Sequence, residues 1–229
     1  RLLPWLVVAA TFLTFIPALK SLFVNWDDTA NFLENPDFRK LGFGEFRWMF
    51  STFHLAHYQP VTWLTWALDK ALWGTNPFGY HLTNLVIHCA TAGVFCLLGR
   101  RILDRVMPES SEFHPYAAAW AALLFAVHPL RVEAVAWATE RRELISSLFF
   151  VSAAALYLRV RGRSLVLRPD NNARIGGPSL LWVLVLGALA MLSNVRTVSL
   201  PLALLLLDYY PLGRLSAERP GADPGVWKE

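Results

Sequence analysis

Asp27 and Asp28 stand side by side just past Lys20, behind Trp26. Two adjacent carboxylates raise one another's proton affinity, which suits a general base or a cation site. A blander role is open to one of them: Asp28 can cap a helix running through Asn31 to Asn35 and stopped by Pro36. A second charged group follows in Arg131, Glu133, Glu140, Arg141, Arg142 and Glu143, and a third in Asn194 and Arg196. Arginine forks grip phosphate in bidentate fashion. The same residues also suit a solvated loop of ion pairs, and Arg196 suits a snorkelling anchor. His54, His57, Tyr58 and Gln59 lie between, with His81, Asn84 and His88 further on. No histidine pair has the HExxH spacing, so no histidine metal site is expected. His81 and His88 read as polar packing between helices. The aspartate pair has the oxygen ligands a divalent ion takes, but no metal and no other cofactor is favoured.

These residues need a scaffold, and composition names it. Of 229 residues, 55% are hydrophobic and only 17% charged, whereas soluble domains carry about 25% charged residues. The apolar residues come in blocks separated by charged loops, which predicts an all-α, polytopic membrane protein. Six spans are expected: 2–19, 80–99, 116–128, 144–160, 178–194 and 197–211, in a membrane domain of residues 1–215. An external loop of residues 20–79 follows the first span, and a polar tail of residues 216–229 leads onward. Position 1 is Arg, and with that tail the chain reads as a piece of a longer one. The ten tryptophans suit the membrane–water belts. Cys89 and Cys96, on one helix face about 10 Å apart, are too distant for a disulfide. A net charge of +4 without a basic stripe excludes a nucleic-acid partner. No fixed-period repeat and no low-complexity run is present.

Orientation follows from arginine. Arg100, Arg101 and Arg105, then Arg159, Arg161, Arg163, Arg168 and Arg174 with Asp170 alone opposing them, then Arg214 and Arg219, mark cytoplasmic loops. Residues 20–70 are balanced, with five basic and six acidic side chains. The N-terminus is then cytoplasmic, and the unusual polar residues all fall on the opposite side, where they would share one polar cavity. Ionisable groups at membrane depth default to function. Within the external loop, Val61, Leu64, Leu68 and Leu72 recur at helical spacing with Trp63, Trp66 and Trp73 around them. This predicts an amphipathic helix in the interface, broken by Gly74-Thr75-Asn76-Pro77.

A series of motifs comes in order: Phe23-Val24-Asn25-Trp26-Asp27-Asp28, Asn35-Pro36, Tyr58-Gln59-Pro60-Val61-Thr62, and Asn76-Pro77-Phe78-Gly79-Tyr80-His81-Leu82-Thr83-Asn84. They continue with His128-Pro129-Leu130-Arg131-Val132-Glu133, Glu140-Arg141-Arg142-Glu143 and Leu207-Asp208-Tyr209-Tyr210-Pro211-Leu212-Gly213-Arg214. Together, over about positions 1–215, they resemble the TMTC-type transmembrane-and-TPR-repeat proteins, GT-C glycosyltransferases related to protein O-mannosyltransferases. The resemblance departs from the bacterial pattern at Arg142-Glu143, where Lys-Asp is common, and at Asn194, where Lys follows Ser. It implies an enzyme of the bacterial inner membrane, or of the endoplasmic reticulum in a eukaryote. Such an enzyme moves a mannose-like sugar from a polyprenyl-phosphate donor to a protein hydroxyl on the non-cytoplasmic face, with inversion. By the same resemblance Asp27 or Asp28 is the base. The leaving phosphate needs positive charge, for which Arg131, Arg141 and Arg142 are the candidates; His57, Tyr58 and Glu133 orient sugar or acceptor, and Gln59, Glu140 and Arg196 complete the expected substrate-binding set. The partners implied are the lipid-linked sugar, an acceptor protein and membrane lipid. Two other classes stay open: a non-catalytic membrane scaffold with TPR repeats downstream, and a lipid-phosphate transporter.

Overall fold

The computed structural model describes residues 2–35, 42–167 and 178–213. Pro36, Arg168, Asp170, Arg174, Arg214, Arg219 and the tail of residues 216–229 lie outside the described residues. The chain is an all-α membrane protein. Its α-helices are α1 (Leu3–Phe15), α2 (Phe43–Ser51), α3 (Pro60–Trp73), α4 (Pro77–Val106), α5 (His114–Ala126), α6 (Arg131–Ala136), α7 (Arg141–Leu167), α8 (Pro178–Ser193) and α9 (Leu200–Tyr209). Short turns of 3-10 helix join several of them.

Three helical stretches among the described residues are long and apolar enough to cross a bilayer: Leu3–Lys20, Pro77–Val106 and Ala138–Arg161. The first tightens from α into 3-10 geometry at Ile16–Lys20. Pro17 explains the change, because it offers no N–H to the α ladder. Leu180–Ser193, in α8, is a shorter apolar helix, and α5 and α9 are 13 and 10 residues long. Where α1, α4 and α5 meet, the seam is built of Ala92, Cys96, Ala118, Ala122 and Ala126. Small side chains let helices approach closely where lipid offers no hydrophobic drive. Both cysteines are buried and free. At the other end of the bundle, α7, α8 and α9 close around Ala153, Tyr157, Leu158, Val183 and Leu200.

The corner between α3 and α4 shows how local sequence sets the frame. Gly74 ends α3 at φ +61°, a left-handed conformation that glycine takes without penalty. Asn76 then caps α4, its side chain accepting from the Phe78 N–H at 3.1 Å, and Pro77 opens the helix. Gly79 must stay bare, since a Cβ there would fall 2.1 Å from the Trp73 ring.

The expectation for α3 needs one correction. Trp63 and Trp66 are not interface residues. They are 1% and 0% exposed, in an aromatic core with Phe32, Met49 and Tyr80. Leu68 and Leu72 are the side chains left outside, at 48% and 75%. The helix turns its broad aromatics inward because α2, the Thr29–Leu33 turn and Tyr80 of α4 supply an aromatic floor, with Phe32 meeting Trp66 edge-on at 4.9 Å.

Candidate functional site

The segment from Ala138 to Glu143 is the hub. A 3-10 turn over Ala138–Glu140 runs directly into α7, and Ala138, Thr139, Glu140 and Arg141 are all buried. Thr139 points in. Its N–H and its hydroxyl both donate to Asp28 Oδ1, at 3.0 and 2.5 Å, while Asp28 Oδ2 accepts from the Val24 N–H at 2.8 Å. Asp28 is fully buried. It makes no side-chain cap to the turn that follows it, so the capping expectation fails. Its carboxylate instead clamps the loop after α1 to the hub, and both its oxygens accept hydrogen bonds. Asp27 is half-buried, with no hydrogen bond or ion pair among the described residues. The adjacent pair is thus split into an anchor and an open carboxylate. No group of three or more His, Cys, Asp or Glu side chains converges among the described residues.

The neighbouring arginines divide in the same way. Arg141 is 0% exposed. Its Nε donates to Asn84 Oδ1 at 2.7 Å, Nη1 to the Thr65 carbonyl at 3.3 Å and Nη2 to the Tyr80 carbonyl at 2.8 Å. Nη2 also pairs with Asp69 Oδ2 at 2.5 Å. Asp69 takes a further hydrogen bond from the Thr83 hydroxyl at 2.8 Å, and Asn84 donates to the Val135 and Trp137 carbonyls. A guanidinium so enclosed has no access to a phosphate, which removes Arg141 from the candidates for holding one. Arg142 points out and pairs with Glu140 at 2.5 Å, while its buried Nη1 has no partner.

Arg142 opens onto a cavity of about 330 Å³, lined also by Phe53, Ala56, His57, Tyr58, Gln59, Met191, Asn194, Val195 and Arg196. The far wall is fixed by Glu143, whose Oε1 accepts from Asn194 Nδ2 at 2.9 Å and from Arg196 Nη1 at 2.5 Å. The near wall is a tight turn. His54 and His57 exchange backbone hydrogen bonds at 3.0 and 2.9 Å across Leu55 and Ala56. Both of these residues take positive φ, 49° and 61°, conformations that cost side-chain-bearing residues roughly 1–2 kcal/mol each. The strain is held beside the cavity, where it presents His57. Partial burial of the His57 ring, and then the Arg142 charge, lower its pKa; Glu140 and Asp27 pull upward and Arg196 downward. His57 is therefore neutral at pH 7 and can accept a hydrogen bond. Tyr58 donates to the Phe50 carbonyl at 3.2 Å and stands 5.3 Å from Phe53, ring centre to ring centre.

Of the residues expected at the site, His57, Tyr58, Gln59, Arg142 and Arg196 line this cavity together, with Glu140 on Arg142 and the charge of Asp27 reaching His57. Arg131 and Glu133 do not line it. Arg131 stacks on Phe125 at 4.6 Å, and Glu133 borders a shallow groove with Val24, Trp26 and Trp137. His81 is fully buried, and His88 bonds the Ala126 carbonyl at 2.8 Å. Sequence reading passed over Asp69, Thr139 and Phe53. Asp69 did carry a signal, as the one acid in the apolar stretch of residues 60–73.

Comparison with known proteins bears on this arrangement. The chain is similar to protein O-mannosyl-transferase TMTC3 of Mus musculus, 39% identical over 115 residues, or 50% of this chain and 11% of that protein. It is similar also to protein O-mannosyl-transferase F38B6.6 of Caenorhabditis elegans, 40% identical over 108 residues, covering 47% and 14%. With TMTC4 of Mus musculus the identity is 30% over 166 residues, covering 69% of this chain and 22% of that protein. The chain thus spans about a tenth to a fifth of the length of these curated relatives. No protein-family model and no solved structure matches it.

Chemically, the cavity offers one open carboxylate nearby, a neutral imidazole, two arginines braced by glutamates, and an aromatic pair at its wall. That set suits a substrate with an anionic end and a hydroxylated body.

Proposed function

We propose that the cavity is the reaction site of a membrane glycosyltransferase that moves a sugar from a polyprenyl-phosphate to a protein hydroxyl on the non-cytoplasmic face. Asp27 takes the proton from the acceptor hydroxyl. The oxygen attacks the anomeric carbon in one displacement, the bond from that carbon to the phosphate oxygen breaks, and configuration inverts. The departing polyprenyl phosphate gains negative charge, which the guanidinium groups of Arg142 and Arg196 stabilise in place. Gln59, Tyr58 and neutral His57 line the wall where the sugar hydroxyls would sit. The positive-inside pattern of the arginines supports a cytoplasmic N-terminus and an outward-facing cavity.

The observation that carries this reading is the gathering of Arg142, Arg196, His57, Tyr58 and Gln59 around one cavity. The names of the relatives, all protein O-mannosyl-transferases, support the reaction class. The test compares Asp27→Asn with Asp28→Asn in the full-length protein, measuring sugar transfer from a polyprenyl-phosphate mannose. Asp27→Asn should lower kcat by about 10²–10⁴-fold with an unchanged melting temperature, whereas Asp28→Asn should lower the melting temperature first. Full activity in Asp27→Asn removes Asp27 as the base.

A further inference from the structure

We infer that Arg141 is the positioning residue of the cavity: by binding α3 and α4 at once, it fixes where Glu140 and Arg142 stand on either side of it. The geometry behind this is specific. One guanidinium uses Nε, Nη1 and Nη2 on four acceptors drawn from two elements: Thr65 and Asp69 of α3, Tyr80 and Asn84 of α4. Asn84 in turn holds the Trp137 carbonyl, to which the Glu140 N–H also donates at 3.2 Å. Two positions before Arg141, Thr139 is held by Asp28. The backbone at 139 and 141 is therefore tied on two sides, to Asp28 and to α3 and α4. Residues 140 and 142, chain neighbours at a Cα spacing of about 3.8 Å, are placed with it.

Stability alone does not account for such a pair. A buried ion pair seldom outdoes apolar side chains of the same volume, because both charges must leave water. What an apolar replacement would lose is direction. Only a planar fork with several donors specifies the distance between α3, α4 and the start of α7 simultaneously. The α3 helix follows directly on Tyr58 and Gln59 of the cavity wall, so the same fork registers both walls: His57–Gln59 through α3, and Glu140–Arg142 through α7.

The experiment uses the full-length protein in lipid nanodiscs with Asp69→Leu, Arg141→Met, the double variant and Arg141→Lys. Melting temperature, the NMR titration of the His57 imidazole, and kcat and KM for sugar transfer are read on each. Four charges act on His57, namely Arg142, Glu140, Asp27 and Arg196, and Arg142 is the largest of them. Each single apolar variant should melt lower than wild type, and the double variant should regain most of that loss. In the double variant the His57 titration should nonetheless move from its wild-type position, because Arg142 and Glu140, whose charges act on it in opposite directions, have lost their fixed places. Its kcat should fall about 10- to 100-fold with a smaller change in KM. A double variant that matches wild type in melting, His57 titration and kcat overturns the inference and leaves the pair a plain staple. Should the double variant fail to regain stability, Arg141→Lys decides: it keeps the charge on Asp69 but cannot span four acceptors, and an unmoved His57 titration in it also overturns the inference. The kinetic arm rests on the transferase reading and the His57 arm does not. A wild-type protein without transfer activity sinks that reading while positioning is still decided by NMR.

Discussion

Arg141 and Arg196 each meet a carboxylate at 2.5 Å, yet they belong to different parts of the molecule. The Arg141–Asp69 pair is 0% and 5% exposed, roofed by the aromatic layer of loop helices and fed by further hydrogen bonds. The Arg196–Glu143 pair sits at the cavity rim, 75% and 29% exposed. Equal geometry does not mean equal worth. In the first, each charge depends on the other, since neither can reach water. In the second, water stands ready to replace either partner. The difference teaches where the molecule is built and where it is meant to exchange partners: a ligand anion can compete for Arg196 and cannot compete for Arg141.

The sharpest way to break this contrast is to remove one buried partner. Asp69→Ala should destabilise the protein by about 3–5 kcal/mol, because it strands a guanidinium in the interior. Denaturation in detergent or nanodiscs measures it, and a loss under about 1 kcal/mol would mean that water already reaches Arg141. Next in size is Thr139→Val. It deletes one hydroxyl donor to the buried Asp28 carboxylate while keeping shape, and it should cost about 1.5–3 kcal/mol. Smallest is Arg196→Gln at the rim, with an expected stability change of about 0–1 kcal/mol. There the effect should appear instead as weaker binding of inorganic phosphate, followed by phosphorus NMR line broadening. If Arg196→Gln destabilised as much as Asp69→Ala, the two regions would not differ in kind.

The sequence made the residue types legible, and the membrane class with them, because blocks of uncharged residues and arginine-rich loops are local signals. It singled out Asp27-Asp28 and Arg141-Arg142 as chemical groups. It did not reveal which member of each pair faces the cavity. Neighbours in sequence share composition and hydropathy, and what separates Asp28 from Asp27 is Thr139, 111 positions away. Trp63 and Trp66 were misplaced for a related reason. Tryptophan suits both a membrane belt and an aromatic core, and only the presence of Phe32 and Tyr80 across the way decides between them. Asp69 escaped notice because a lone acid on a helix ordinarily faces water, and its partner lies 72 residues on by position, in another helix. The turn at Leu55 and Ala56 could not be anticipated at all, since hairpin turns of that shape normally announce themselves with Asn-Gly.

The bond between Asp28 and Thr139 also sets a clock on biogenesis. The loop after α1 emerges early in synthesis, but the hub that closes against it is encoded 111 residues after Asp28. At roughly 5–20 residues per second, the growing chain waits about 5–20 s before Asp28 finds its donors and about 4–14 s before Asp69 finds its cation. Through that interval the aromatic core around Trp63 and Trp66 is complete but for Ala138, while the two buried acids, Asp28 and Asp69, still lack their partners.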